Sequence, residues 1–208
     1  MAGIKIAVFI SGRGSNLEAI LDSINREEIK GEVALVISDR KDAKGLERSK
    51  ERSIPSVYIG KSNYSDNESR VDKILEVLEL KEIDLIVLAG YMSIVDTSIV
   101  RKYKNKIINI HPSLIPSFSG KGYYGSFVHK AVLDYGVKIT GATVHFVDED
   151  TDTGPVIIQE AVKVFDEDTV DSLSKRVLGI EHEILPKAIK LFAENKLVIE
   201  GRIVKRRD

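Results

Sequence analysis

Near its start the chain reads Ile4-Lys-Ile-Ala-Val-Phe-Ile10, then Ser11-Gly-Arg-Gly-Ser-Asn16, then Leu17, Ile20, Leu21 and Ile24 at helical spacing. A short, nearly continuous apolar run is what a parallel strand covered on both faces requires. The glycine-rich break followed by a 3.6-residue apolar period predicts a strand, a tight loop and an amphipathic helix. That is the opening of a βαβ unit, and the chain repeats it.

Glu32 to Ser38 reads as a second strand, Ala43 to Arg52 as a helix and Val57 to Ile59 as a third strand. Val71, Ile74, Leu75 and Leu78 predict a helix capped by Asp66 or Asn67, and Asp84 to Ala89 a fourth strand closed by Gly90. Strands alternating with helices predict an α/β fold with a Rossmann-like, mostly parallel twisted sheet and helices on both faces. The second half differs. A helix with Phe127, Val128, Ala131 and Val132 inward is followed by two long strands, Ile139 to Val147 and Val156 to Val164. The turn-rich link between them predicts antiparallel strand addition in the C-terminal half. Thr169 to Asn195 reads as a long helix kinked at Pro186, and residues 197–204 as a small hairpin. No linker separates domains, so a single domain over 1–208 is expected, with halves 1–105 and 106–208.

Between the halves lies Ile107-Ile-Asn109-Ile-His111-Pro112-Ser-Leu-Ile-Pro116. Period-two alternation puts Asn109 and His111 on one side of a strand, and Pro112 ends it. An amide and an imidazole then stand together at the carboxyl end of a strand, where open α/β sheets place ligands. An imidazole moves protons near neutral pH, and an amide N–H can donate to an oxygen gaining charge.

The loop after the first strand is a poor dinucleotide fingerprint, because the third glycine position is Leu17, and no Walker sequence follows. Two readings stay open. Ser15 and Glu18 match a capping box, and Gly14, Ser15 and Asn16 place backbone donors at a helix start suited to a single phosphate. The acidic stretch with Asp148, Glu149, Asp150 and Asp152 reads either as a solvated turn or as a carboxylate supply for His111. Its spacing matches no calcium loop.

Composition narrows the field. With 31 Lys+Arg against 32 Asp+Glu, no bulk positive field argues for nucleic acid. No apolar run has the roughly 18 residues of a membrane span, and the start lacks a signal-peptide layout, so a cytoplasmic protein is expected. Zero Cys removes disulfides and thiolate chemistry, and the four His lack paired metal-ligand spacing, so no metal is expected.

Three segments together resemble the phosphoribosylglycinamide formyltransferase family. They are Ser11-Gly-x-Gly-Ser-Asn16, Asn109-x-His-Pro-Ser-Leu-x-Pro116, and His145-Phe-Val147 with Asp152-x-Gly-Pro155. The resemblance implies formyl transfer from 10-formyltetrahydrofolate to the glycyl amine of 5'-phosphoribosylglycinamide in purine biosynthesis. It implies Asn109, His111 and Asp152 as the catalytic trio. Gly14, Ser15 and Asn16 would hold the phosphate, Pro112 the ribose side and Glu181 the glycyl amine end. From the residues alone, Glu181 reads equally as a solvated helix position. The pterin would lie against Tyr91, Met92, Ser93, Ile94, Val95, Val147 and Asp148. The first half would then bind the ribonucleotide, and the second would carry catalysis and folate, as a monomer or a homodimer. Ser93 departs from the Arg the family often carries there, and Lys121, Tyr123 and Tyr124 take no role from the resemblance. It also implies a cis bond at Ile115–Pro116. The competing readings are a formyltetrahydrofolate hydrolase and a non-catalytic phosphate-binding module.

Overall fold

The computed structural model describes residues 3–207. The chain divides into two compact units, 1–108 and 109–208. In the first, strands β1 (Ile4–Ile10), β2 (Gly31–Ser38), β3 (Ser56–Tyr58) and β4 (Leu85–Leu88) alternate with helices α1 (Ser15–Asn25), α2 (Lys44–Glu51) and α3 (Asn67–Leu80). All the pairings β1–β2, β1–β4 and β2–β3 are parallel, in the order β3-β2-β1-β4 with β5 (Ile107–His111) next. β1 is central, and Ile6, Ala7, Val8, Phe9 and Ile10 are fully buried. Between β1 and β4 the strand order reverses, and the loops leaving those strands flank the crevice in which such sheets bind ligands. The helices face inward as their periodicity requires: Leu17 and Ile20 of α1 and Val71, Ile74 and Leu78 of α3 are buried. Asp66 caps α3, its side chain accepting from Ser69 N at 2.7 Å.

One local expectation fails in this unit, and one short helix is additional to those the periodicity predicts. The start of α1 is capped by the backbone of Gly14 at φ 76°, with no side-chain cap, so Ser15 and Glu18 form no capping box. A side-chain cap needs an extended residue at that point, and the left-handed turn excludes one. Glu18 instead pairs with Arg52 at 2.5 Å and Arg48 at 3.7 Å, joining α1 to α2. The short helix α4 (Thr97–Lys102), capped by Asp96, was not expected, since six residues give too short a window for periodicity.

In the second unit, β6 (Ile139–Phe146) and β7 (Val156–Lys163) pair antiparallel, as the turn-rich link predicts. The terminal hairpin of β8 (Leu197–Glu200) and β9 (Ile203–Arg206) joins through a parallel contact of β9 with β7, giving the order β5-β6-β7-β9-β8. Gly154 is required where the hairpin closes, because a Cβ there would lie 1.8 Å from the Phe146 carbonyl oxygen. α5 (Ser126–Tyr135) and α6 (Val170–Ala193) complete the unit, and α6 runs through Pro186 without a break. α5 buries Val128, His129 and Val132, whereas Phe127, expected inward, is exposed and packs its ring on Tyr124 at 5.1 Å. Among the described residues no helix is long and apolar enough to cross a membrane.

Candidate active site

β5 delivers Asn109 and His111 to one place, and the hairpin loop brings Asp152 to it. His111 is buried, and its Nε2 donates to the Phe118 carbonyl at 2.9 Å, because a carbonyl can only accept. That fixes the ring proton and turns Nδ1 toward Asp152, whose Oδ2 lies 3.5 Å away. The carboxylate side chain is only 10% exposed. Of the four acidic residues in the stretch, Glu149 and Asp150 are exposed and Asp148 accepts from Thr153 Oγ1 at 2.6 Å. Asp152 is turned inward by a left-handed backbone, φ 58°. The reading of this stretch as a wholly solvated turn is therefore overturned for Asp152.

Asn109 is held by His145, a residue to which neither the spacing nor the resemblance gives a role. His145 donates from Nδ1 to the Phe146 carbonyl at 2.8 Å, leaving Nε2 to accept from Asn109 Nδ2 at 3.0 Å. Burial holds the His145 pKa below the usual imidazole range, which keeps that lone pair available. The same Nε2 lies 3.7 Å from Asp152 Oδ1. The register of β6 against β7 slips between Val144 and His145, the kind of irregularity that re-aims a side chain beside a site. Asn109, His111, His145 and Asp152 thus lie close together, as an Asn109–His145 pair beside a His111–Asp152 pair.

The segment after Pro112 is pinned beneath this group. Ser113 is fully buried and donates from Oγ to Ser117 O at 2.6 Å. Thr143 donates to Ser113 O at 2.6 Å and accepts from Ile115 N at 3.1 Å, and Gln159 donates to Ile115 O at 2.9 Å. The Ile115–Pro116 bond is cis. His129 of α5 is also buried, and burial followed by the charge of His111 pushes its pKa down to about 4. Glu181, on α6, is 8% exposed, so its reading as a solvated helix position is overturned.

In the first unit, Gly14, Ser15 and Asn16 form the first turn of α1 and the residue before it. Glu18 N donates to Gly14 O at 3.0 Å as the first helical bond, and the earlier N–H groups of such a turn point out along the axis. A Cβ on Gly14 would lie 2.9 Å from the Cα of Gly45, which itself donates from N to Gly12 O at 3.1 Å. The start of α2 therefore packs directly on this loop. After β4, Met92 N donates to Ser11 Oγ at 2.7 Å, and Tyr91 packs edge-on to Phe9 at 5.3 Å. Burial, then the Asp39 carboxylate, pushes the Tyr91 phenol up to about 12. Ser93 Oγ donates to Asp39 Oδ2 at 2.6 Å. Met92 and Ile94 are 46% and 76% exposed, apolar surface of the kind a ligand covers. Val147 and Asp148 are half-buried at the end of β6. Among the described residues no three His, Asp or Glu side chains form a group that could hold a metal ion.

An Asn109, His111 and Asp152 group around a buried imidazole at a strand end is the arrangement of an enzyme rather than of a bare scaffold. The family model described as formyl transferase matches residues 4–189, and the chain belongs to that family. It is 38% identical over 199 residues to the phosphoribosylglycinamide formyltransferase of Haemophilus influenzae, covering 96% of this chain and 92% of that one. It is 44% identical over 201 residues to the trifunctional purine biosynthetic protein adenosine-3 of Bos taurus, spanning 96% of this chain but only 19% of that protein. The crystal structure of glycinamide ribonucleotide transformylase 1 from Symbiobacterium toebii superposes with a TM-score of 0.94 at 44% identity, covering 100% of this chain and 95% of that one.

Proposed function

We propose that this chain transfers a formyl group from 10-formyltetrahydrofolate to the glycyl amine of 5'-phosphoribosylglycinamide, a step of purine biosynthesis. The observation that carries this is the His111 ring set between the Phe118 carbonyl and the Asp152 carboxylate, with Asn109 oriented beside them by His145. The nucleophile comes from the substrate, which suits a protein with no Cys. The amine nitrogen attacks the formyl carbon, and negative charge develops on the formyl oxygen. Asn109 Nδ2 keeps a second hydrogen beside the one given to His145, and it donates to that oxygen, while a protonated His111, its two N–H groups directed at Phe118 O and Asp152, contributes positive charge. One such donor contributes about 3–4 kcal/mol to transition-state stabilisation. The bond from the formyl carbon to folate nitrogen then breaks, and that nitrogen takes the proton lost by the amine. Asp152 accepts a proton held at His111 Nδ1 and relays protons through water.

In this reading Gly14, Ser15 and Asn16 bind the ribonucleotide phosphate, Pro112 lines the ribose and Glu181 faces the amine end. Tyr91, Met92, Ser93, Ile94, Val95, Val147 and Asp148 hold the folate, and no metal takes part. The test is mass spectrometry of the ribonucleotide after incubation with 10-formyltetrahydrofolate. The reading predicts one added formyl group on the glycyl nitrogen, and an unchanged ribonucleotide would refute it.

A further inference from the structure

The glycine-rich loop Ser119-Gly-Lys-Gly-Tyr-Tyr-Gly125 takes no part in the reading above, yet it and Phe118 just before it touch both ends of the His111–Asp152 pair. Phe118 O accepts from His111 Nε2 at 2.9 Å, and two residues later Gly120 N donates to Asp152 Oδ2 at 2.9 Å. That oxygen is also the one 3.5 Å from His111 Nδ1, so ring, carboxylate and backbone close a cycle. Both backbone groups depend on left-handed residues, Phe118 at φ 50° and Gly120 at φ 86°. The turn is held by Tyr123 N on Gly120 O at 3.1 Å, and by the Phe118 ring edge-on to Tyr123 and Tyr135.

We infer that Gly120 is a positioning residue for the transfer reaction: its N–H fixes the rotation of the Asp152 carboxylate and so holds the oxygen that serves His111. This rests on the catalytic reading of Asp152. A carboxylate with one lone pair committed to a rigid backbone donor has a single orientation, and its other acceptor site stays aimed at the imidazole. Fixing a proton acceptor in place is worth rate rather than binding.

Gly122 provides a matched control. It sits at φ 94°, and a Cβ at either glycine meets nothing within 4 Å, so alanine at both positions strains the backbone alike without a clash. Gly120→Ala is expected to lower kcat by at least about tenfold with both KM values within about twofold, and Gly122→Ala by less than about twofold. In an Asp152→Asn background the Gly120 substitution should cost nothing further, a coupling that a general loss of structure would not produce. Replacing the Gly120 amide by an ester, which removes the N–H without adding a side chain, should reproduce the kcat loss even where the alanine variant folds poorly. Equal effects at 120 and 122, additive losses with Asp152→Asn, or an ester variant of normal kcat would each overturn the inference. A fully active Asp152→Asn single variant would instead refute the catalytic reading of Asp152.

Discussion

His111 Nδ1 faces Asp152 Oδ2 at 3.5 Å while the opposite ring nitrogen donates to a backbone carbonyl. The ring is thereby held by its edges, and a proton arriving at Nδ1 has an acceptor in place without any reorganisation. Preorganisation of this kind spares the reaction the cost of orienting the imidazole.

Removing the imidazole tests this pairing. His111→Ala should lower kcat by at least about 10²-fold, with thermal unfolding of the kind expected for one lost buried hydrogen bond. Near-normal turnover in a steady-state assay would take His111 out of the mechanism.

His145 sets the amide. Without its Nε2, Asn109 Nδ2 loses the acceptor that fixes its orientation. His145→Leu should lower kcat about 10- to 100-fold with little change in either KM, and should cost about 1–3 kcal/mol of stability for the unpaired amide. Unchanged kcat would show that Asn109 is oriented by other groups.

Stability should depend on pH through the buried rings. The pKa values of His129, at about 4, and of His145 are both depressed by burial. The unfolded chain binds protons at these residues below its ordinary value of about 6.5, and the folded one does not. Stability is therefore full above that pH and declines as pH falls toward about 4. For His129 the loss between pH 7.5 and pH 5 is about 1–2 kcal/mol after allowing for solvent screening. Urea denaturation at the two pH values should show it, and His129→Leu should flatten the difference. A midpoint equally pH-dependent in that variant would assign the effect elsewhere.

The phosphate reading of the first loop has a charge test. Ser15→Asp puts a carboxylate in the first turn of α1 and should raise KM for the ribonucleotide about tenfold or more, leaving KM for the folate intact. Equal changes in both would locate the phosphate away from residues 14–16.

The parallel half was readable because buried strands and amphipathic helices leave strong periodic signals, as in Ile4–Ile10 and in Val71, Ile74 and Leu78. The Asn109/His111 pair was readable for the same reason, since alternation alone fixes a shared face. Other features were not. Nothing in the spacing distinguishes Asp152 from Asp148 or Asp150; a single left-handed residue makes the choice. The role of Phe118 and Gly120 lies in a carbonyl and an N–H that every residue possesses, so no side chain announces it. Phe127 and Val128 are adjacent apolar residues on α5, and only packing decided that the smaller one and His129 go inward.

The most direct measurement follows the absorbance of 10-formyltetrahydrofolate with the purified protein, with and without 5'-phosphoribosylglycinamide. Formyl transfer predicts folate turnover only when the amine is present, with one ribonucleotide formylated per folate consumed. Folate consumption that ignored the amine would indicate hydrolysis, and no consumption under either condition would reduce the protein to a ligand-binding fold.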